Sequence, residues 1–315
     1  MSNLKLINMR DVEVEPICWL WYPFIPYGKV TIIQGDPGEG KTTLVLQIIA
    51  RLTKGESIID EDESLPINVI YQTAEDGLSD TIKPRLLAAN ADCSKVLVID
   101  DSDTPLTMRD ARLEQAIIET NAKLVVLDPI QGFLGADVDM HRANEIRPIM
   151  KHISELAEKY KCAIILIGHM NKCSVGKSAY RGLGSIDFQA AARSVLIVGR
   201  IKDEPEIRVV CQTKSSLAPE AKAVAFRLSE ENGFEWVGEY DVSADDLLSG
   251  TAKGTKKQAA MDFLESLLSG GQMSQTEIME LAERKSIAEK TLRNAKEALG
   301  IKSKRENNQW YWSLD

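Results

Sequence analysis

No apolar run in the 315 residues approaches bilayer length, and the amino terminus lacks the basic, apolar, small-residue series of a secretory signal. A cytoplasmic protein with no membrane partner is therefore expected. Cysteine is sparse: Cys18, Cys93, Cys162, Cys173 and Cys211 are an odd, scattered set without a C-x-x-C pair, which suits a reducing compartment and argues against a structural zinc site. Three histidines do not rescue a metal site. Internal repeats are missing too. Positive charge is in deficit, with 38 Lys and Arg against 47 Asp and Glu, a net of −9. The segment from Thr251 onward runs the other way, with 11 basic against 9 acidic residues. Contact with nucleic acid would have to come from local loops or from this tail.

What is present is a phosphate-binding pattern. Gly35-Asp36-Pro37-Gly38-Glu39-Gly40-Lys41-Thr42 fits G-x-x-x-x-G-K-[ST], directly after the apolar run Val30–Ile33 and directly before a segment with Leu44, Val45, Ile48 and Ile49 at helical spacing. In a strand–loop–helix context the glycines let backbone N–H groups surround a β-phosphate. Lys41 brings charge to the β/γ oxygens, and the Thr42 hydroxyl can hold Mg²⁺. The candidate nucleotide cradle runs from Gly35 through Thr43, at the positive end of the helix.

Apolar strand candidates at Val30–Ile33, Val69–Tyr71, Val96–Ile99, Leu124–Leu127 and Ala163–Ile167 alternate with helical patterns, of which Ala143–Tyr160 is the clearest. This predicts an α/β protein with a mostly parallel sheet covered on both faces. Ser194–Val198, Glu206–Cys211 and Val224–Leu228 read as an antiparallel extension. Trp19, Trp21, Tyr22 and Phe24, in an amino-terminal segment 1–28, are expected to pack on the edge of the first strand. The core domain then spans 29–242 and a polar linker 243–257. Residues 258–315 carry three short helices, with capping boxes at Ser274-x-x-Glu277 and Ser286-x-x-Glu289, followed by a hairpin of Ile301–Lys304 and Gln309–Leu314. That order predicts a small winged helix whose third helix shows Lys290, Arg293, Asn294 and Lys296 to solvent.

Asp128 ends an apolar strand, where a carboxylate can hold the hydration shell of Mg²⁺ alongside Thr42; the plainer reading is a cap on the following turn. Glu75, just past the second strand, is the candidate to orient an attacking water, with Asp76 as alternate and helix capping as the competing role. His169 or Asn171, at the end of the fifth strand, could sense a γ-phosphate or be structural. The Gly/Ser-rich stretch beyond, with Lys172, Lys177 and Arg181, could track a phosphodiester backbone or simply be solvated.

Taken together, the loop at 35–42, Ala74-Glu75-Asp76, the strand tip at Asp128, Gly168–Lys172 and Arg181–Asp187 leading to Arg193 resemble the RecA-type ATPases. Within them, the set is similar to the RepA-like and DnaB-like hexameric replicative helicases of plasmids and phages. The resemblance spans about residues 15–230 and implies a RecA-like P-loop core, ATP and Mg²⁺ as cofactors, Glu75 as catalytic base and assembly into a homo-oligomer, a hexamer. It also implies Arg193 as an arginine finger in the next subunit's site, with Lys214 as a second cation there. The expected activity is ATP hydrolysis coupled to translocation on or unwinding of DNA, with single strands passing through the ring and duplex on the winged helix. An ATP-switched DNA-binding regulator and a filament-forming recombination or repair ATPase are the alternatives. The family's DNA loops would fall near 130–142 and 172–185; in the first, Asp137 and Asp139 outnumber Arg142, a departure from that pattern.

Overall fold

A computed structural model describes residues 6–59, 64–170, 186–202, 204–249, 256–285, 287, 289–306 and 309–314. The chain opens with a two-stranded ribbon, β1 (Trp19–Trp21) and β2 (Ile25–Pro26), then β3 (Val30–Gly35), α1 (Lys41–Lys54), β4 (Val69–Thr73), α2 (Lys83–Ala88) and β5 (Val96–Leu97). It continues through α3 (Ala111–Thr120), β6 (Leu124–Asp128), α4 (Ala143–Tyr160), β7 (Ala163–His169) and α5 (Ile186–Ala191). Four longer strands and a helix follow: β8 (Ser194–Ile201), β9 (Glu204–Ser215), β10 (Ala223–Ser229), β11 (Gly233–Tyr240) and α6 (Ala244–Ser249).

One nine-stranded sheet has the order β11-β10-β9-β8-β3-β7-β6-β4-β5. Strands β8, β3, β7, β6, β4 and β5 pair parallel, while β9, β10 and β11 extend the β8 side antiparallel. The strands are apolar throughout because both faces are covered. Val30, Ile32, Val125 and Leu127 pack towards α3 and α4. On the other face Ile33, Leu124, Val126 and Ile165 meet Leu44, Val45 and Ile48 of α1. Helix α4 buries Ile146, Ile149, Met150, Ile153, Leu156 and Ala157, one stripe at helical spacing. Among the described residues no helix is long and apolar enough to cross a membrane.

Several expectations need correction. The first strand has no free edge, since β3 lies between β7 and β8; Trp21 and Phe24 instead join the core on the α1 face, where Trp21 meets Trp236 at 5.9 Å. Strand β5 stops at Leu97 because the Gln72 side-chain amide takes both backbone groups of Ile99, at 3.0 Å each, in place of a ladder partner. Strand β11, unforeseen, adds Phe234 and Trp236 to the aromatic cluster around Phe226. The stretch read as a linker begins with helix α6, capped by Ser243 Oγ accepting from Asp246 N at 3.1 Å and anchored by buried Leu248.

The carboxyl-terminal tail follows. It runs α7 (Lys256–Leu268), β12 (Met273–Ser274), α8 (Gln275–Arg284), α9 (Glu289–Ala298), β13 (Lys302–Glu306) and β14 (Gln309–Ser313), with the three strands ordered β12-β14-β13. Leu264, Ile278, Leu292, Ala295, Ile301 and Trp312 form its own core. Ser274 caps α8 by accepting from Glu277 N at 3.3 Å. Helix α9 starts at Glu289, and Ser286 lies outside the described residues.

Candidate nucleotide site

The carboxyl ends of β3, β4, β6 and β7 converge, which is where an open α/β sheet collects its ligands. Gly35 ends β3 level with His169 on β7, and Thr73 ends β4 level with Asp128 on β6. Between β3 and α1 the chain turns through Gly38 at φ +81° and Gly40 at φ +87°, a left-handed conformation that glycine adopts without strain. At Gly35 the constraint is closeness: a Cβ there would sit 2.2 Å from the Val198 carbonyl oxygen of β8.

Lys41 is buried, and its Nζ donates to the carbonyls of Gly35 at 2.9 Å and Asp36 at 2.8 Å. Burial lowers its pKa, against the pull of Asp128, Asp36, Glu39 and Glu75. Thr42 Oγ1 donates to Asp128 Oδ2 at 2.7 Å, so the candidate metal pair is in direct contact. Thr43 follows at half-buried exposure. Asp128 also accepts from the Tyr71 hydroxyl at 2.9 Å. Its pKa is raised by burial, opposed by the hydrogen bonds from Thr42 and Tyr71. Among the described residues no three His, Cys, Asp or Glu side chains group to hold a metal.

Glu75 follows β4 in a turn fixed by Thr73 Oγ1, which accepts from Asp76 N at 3.1 Å. Its carboxylate is exposed and lies 3.9 Å from His169 Nε2. Asp76, the alternate, pairs with Arg85 at 3.3 Å. His169 Nδ1 is buried without a hydrogen-bond partner. The phosphate loop, Glu75, Asp128 and His169 thus come together.

Other candidates do not. Arg193 lies at the start of β8, where its N–H donates to Val30 O at 3.0 Å, and Lys214 is level with Val195. Lys214 Nζ donates to Gln189 O at 2.7 Å and Ala190 O at 3.0 Å, capping α5. Burial, then the charge of Arg193, lowers its pKa. Arg193 lies beside Val30 and Lys214, through Val195, is level with Ile32, so along the strands they sit roughly 17 and roughly 10 Å back from their own phosphate loop. Lys172, Lys177, Arg181 and Asn171 lie outside the described residues. In the 130–142 stretch, Arg142 pairs with Asp139 at 3.2 Å and Glu145 at 3.5 Å. In the tail, Lys290 is on α9 and Arg293 pairs with Glu289 at 2.6 Å. Lys296, expected to face solvent, instead lies over the Trp312 ring at 4.5 Å and donates to the Ser303 hydroxyl, because the hairpin folds back on the helix.

Sequence reading missed Tyr71, Arg200 and Arg208. Tyr71 carries a weak signal, a hydroxyl inside an apolar strand; the arginines carry none, since only strand register brings them to the loop.

A nine-stranded sheet whose central parallel strand feeds a phosphate loop, with a carboxylate on the end of the strand next but one, defines a RecA-type P-loop protein. Residues 3–175, more than half of the chain, match the AAA domain family, and the chain belongs to that family. It is similar to a DNA repair protein RadA from Halalkalibacterium halodurans, 28% identical over 148 residues, which cover 46% of this chain and 28% of that one. A Protein RecA from Solidesulfovibrio magneticus is 24% identical over 68% of this chain and 62% of its own length. For a Protein RecA from Agrobacterium fabrum the figures are 24%, 76% and 67%. The chain therefore spans less than a third of that RadA and under two thirds of the first RecA. Among solved structures, a KaiC-like protein from Pyrococcus horikoshii shares the fold, with a TM-score of 0.52 and 16% identity over 70% of this chain and 99% of that one.

Proposed function

We propose that this chain is a magnesium-dependent ATP hydrolase that works on DNA as a ring of like subunits, a replicative helicase or helicase-like protein of a phage, plasmid or integrated element. The observation that carries the reading is the 2.7 Å contact of Thr42 Oγ1 with Asp128 Oδ2 beside the buried Lys41. A hydroxyl and a carboxylate are hard oxygen donors of the kind magnesium takes together with phosphate oxygens and water, so the residues fit the ion. Magnesium bound there would offset charge on the phosphates. Lys41 would hold the β/γ oxygens, and the loop N–H groups the β-phosphate. Glu75 would orient the attacking water and accept its proton, with His169 beside it. Arg193 and Lys214 serve only across an interface, meeting the γ-phosphate of the next subunit.

Single-stranded DNA would pass along the segment with Lys172, Lys177 and Arg181. The order of three helices and a three-stranded sheet in the tail supports a winged helix at 258–315, with the third helix, α9, as the element that would meet a duplex. The RecA and RadA names among the relatives favour a second reading, a recombination or repair ATPase that assembles as open filaments.

The test is ATP turnover with and without single-stranded DNA, for the wild type and Glu75→Gln, alongside mass in solution with a non-hydrolysable ATP analogue. A ring of defined mass, stimulation by DNA, strand displacement, and a Glu75→Gln variant that binds ATP but loses roughly 10²- to 10⁴-fold in turnover are expected. Wild-type turnover in that variant would remove Glu75 from its role; filaments of no fixed mass, without strand displacement, would favour the repair reading.

A further inference from the structure

The antiparallel extension sets charged side chains against the phosphate loop. Arg200 on β8 stands directly opposite Arg208 on β9. By strand alternation both share the face of Val198, Val210 and Phe226, beneath the start of α1. Like charges opposed across two strands destabilise a sheet. The cost is heightened here, because Arg208 is only 8% exposed and its Nε has no hydrogen-bond partner; its NH1 donates to Pro205 O at 2.7 Å. Burial and the charge of Arg200 both lower the Arg208 pKa, while Glu39 and Glu206 act the other way.

Glu39 belongs to the phosphate loop. Its Oε2 is buried without a hydrogen bond and lies 3.9 Å from Arg200 Nε. Arg200 NH2 also donates to Gly38 O at 3.5 Å. The next loop residue meets apolar groups instead: a Cβ at Gly40 would lie 2.8 Å from Leu228 and 3.6 Å from Phe226. The backs of Gly38, Glu39 and Gly40 therefore rest on β8 and the extension, and the polar part of that support is the Arg200 guanidinium, with Arg208 opposite it. A carbonyl drawn outward towards a cation leaves the neighbouring N–H groups turned inward, the arrangement an anion needs.

We propose that Arg200 is a positioning residue for the phosphate loop, holding the Glu39 carboxylate and the Gly38 carbonyl so that the loop N–H groups face the nucleotide phosphates. The proposal rests on the nucleotide-site reading above and adds to it a role for the end of β8. Support through the β-phosphate applies to ATP and ADP alike, so binding of both nucleotides should depend on it.

Glu39 and Arg200 are partly exposed, which makes their variants suitable probes. Full-length wild type, Glu39→Gln, Arg200→Gln, Arg200→Lys and the double glutamine variant are titrated calorimetrically with Mg·ADP, with turnover and melting temperature measured in parallel. Each glutamine variant is expected to bind roughly fivefold more weakly, as for a partly screened ion pair. The double variant should lose less than the product of the two, and Arg200→Lys should recover part of the loss. KM for ATP should rise with little change in kcat. Wild-type affinity in both glutamine variants would overturn the proposal, whether or not their melting temperatures fall. Independent, multiplying losses in the double variant would overturn it as well. If the wild type itself takes up no nucleotide, the nucleotide-site reading falls and this proposal with it.

Discussion

Replacing Tyr71 by Phe removes one buried oxygen and keeps the ring, so its effect reports the bond to Asp128 and not a cavity. Asp128 is 7% exposed, and its charge is supported by the hydroxyls of Thr42 at 2.7 Å and Tyr71 at 2.9 Å. A hydrogen bond to a charged group contributes about 1.5–3 kcal/mol and a neutral one about 1 kcal/mol. Urea unfolding of Tyr71→Phe near neutral pH should therefore show a loss of about 2 kcal/mol, against about 1 kcal/mol for the same change in an Asp128→Asn background. The pH dependence adds a sign. Burial raises the Asp128 pKa above its unfolded value, so this carboxyl favours folding in acid, and that contribution is lost as pH climbs through the raised pKa. Losing the Tyr71 bond raises the pKa further. The gap between wild type and Tyr71→Phe should thus be small in acid and widen as the pH rises past the Asp128 pKa of the wild type. A gap that is the same at every pH, or an equal loss with asparagine at 128, would show that the Tyr71 hydroxyl does not support a charged Asp128.

Two further substitutions test the frame around the site. Gly35→Ala places a methyl group 2.2 Å from the Val198 carbonyl oxygen, a backbone atom, and should cost about 1–3 kcal/mol of stability by thermal melting. Glu114 joins α3 to α4 through Lys159 at 2.8 Å and the Tyr160 hydroxyl at 2.7 Å, and these hydrogen bonds hold its carboxyl below the usual range. A lowered carboxylate pKa stabilises above the unfolded value and is lost as pH falls through the folded one. The wild type should therefore melt above Glu114→Gln at neutral pH, and the two should converge in acid.

Legibility in the sequence followed the range of the physics. The phosphate loop, α1 and the tip of β6 were readable because neighbours along the chain determine them: glycines where φ is positive, a lysine at the helix start, four apolar residues before Asp128. Helix α4 was readable from its stripe alone. Tyr71 against Asp128 depends on β4 pairing with β6, and Arg200 opposite Arg208 depends on the register of β8 with β9, neither of which local periodicity encodes. Strand β11 hid behind Gly233, Gly238, Glu235 and Glu239 because one of its faces is solvated. Helix α6 hid because six residues with one buried leucine have almost no period. Lys296 looked like a surface cation by helical position, yet the hairpin covers it with Trp312, an overlay that only the tertiary fold creates.

Every role assigned above depends on the loop from Gly35 to Thr42 binding a magnesium nucleotide. Isothermal titration of Mg·ATP into the wild type and Lys41→Ala measures it most directly. One site per chain is expected in the wild type, weakened more than about tenfold by the loss of the charged Lys41 donor. No heat from the wild type, or equal binding by the alanine variant, would mean that this loop is not a nucleotide site.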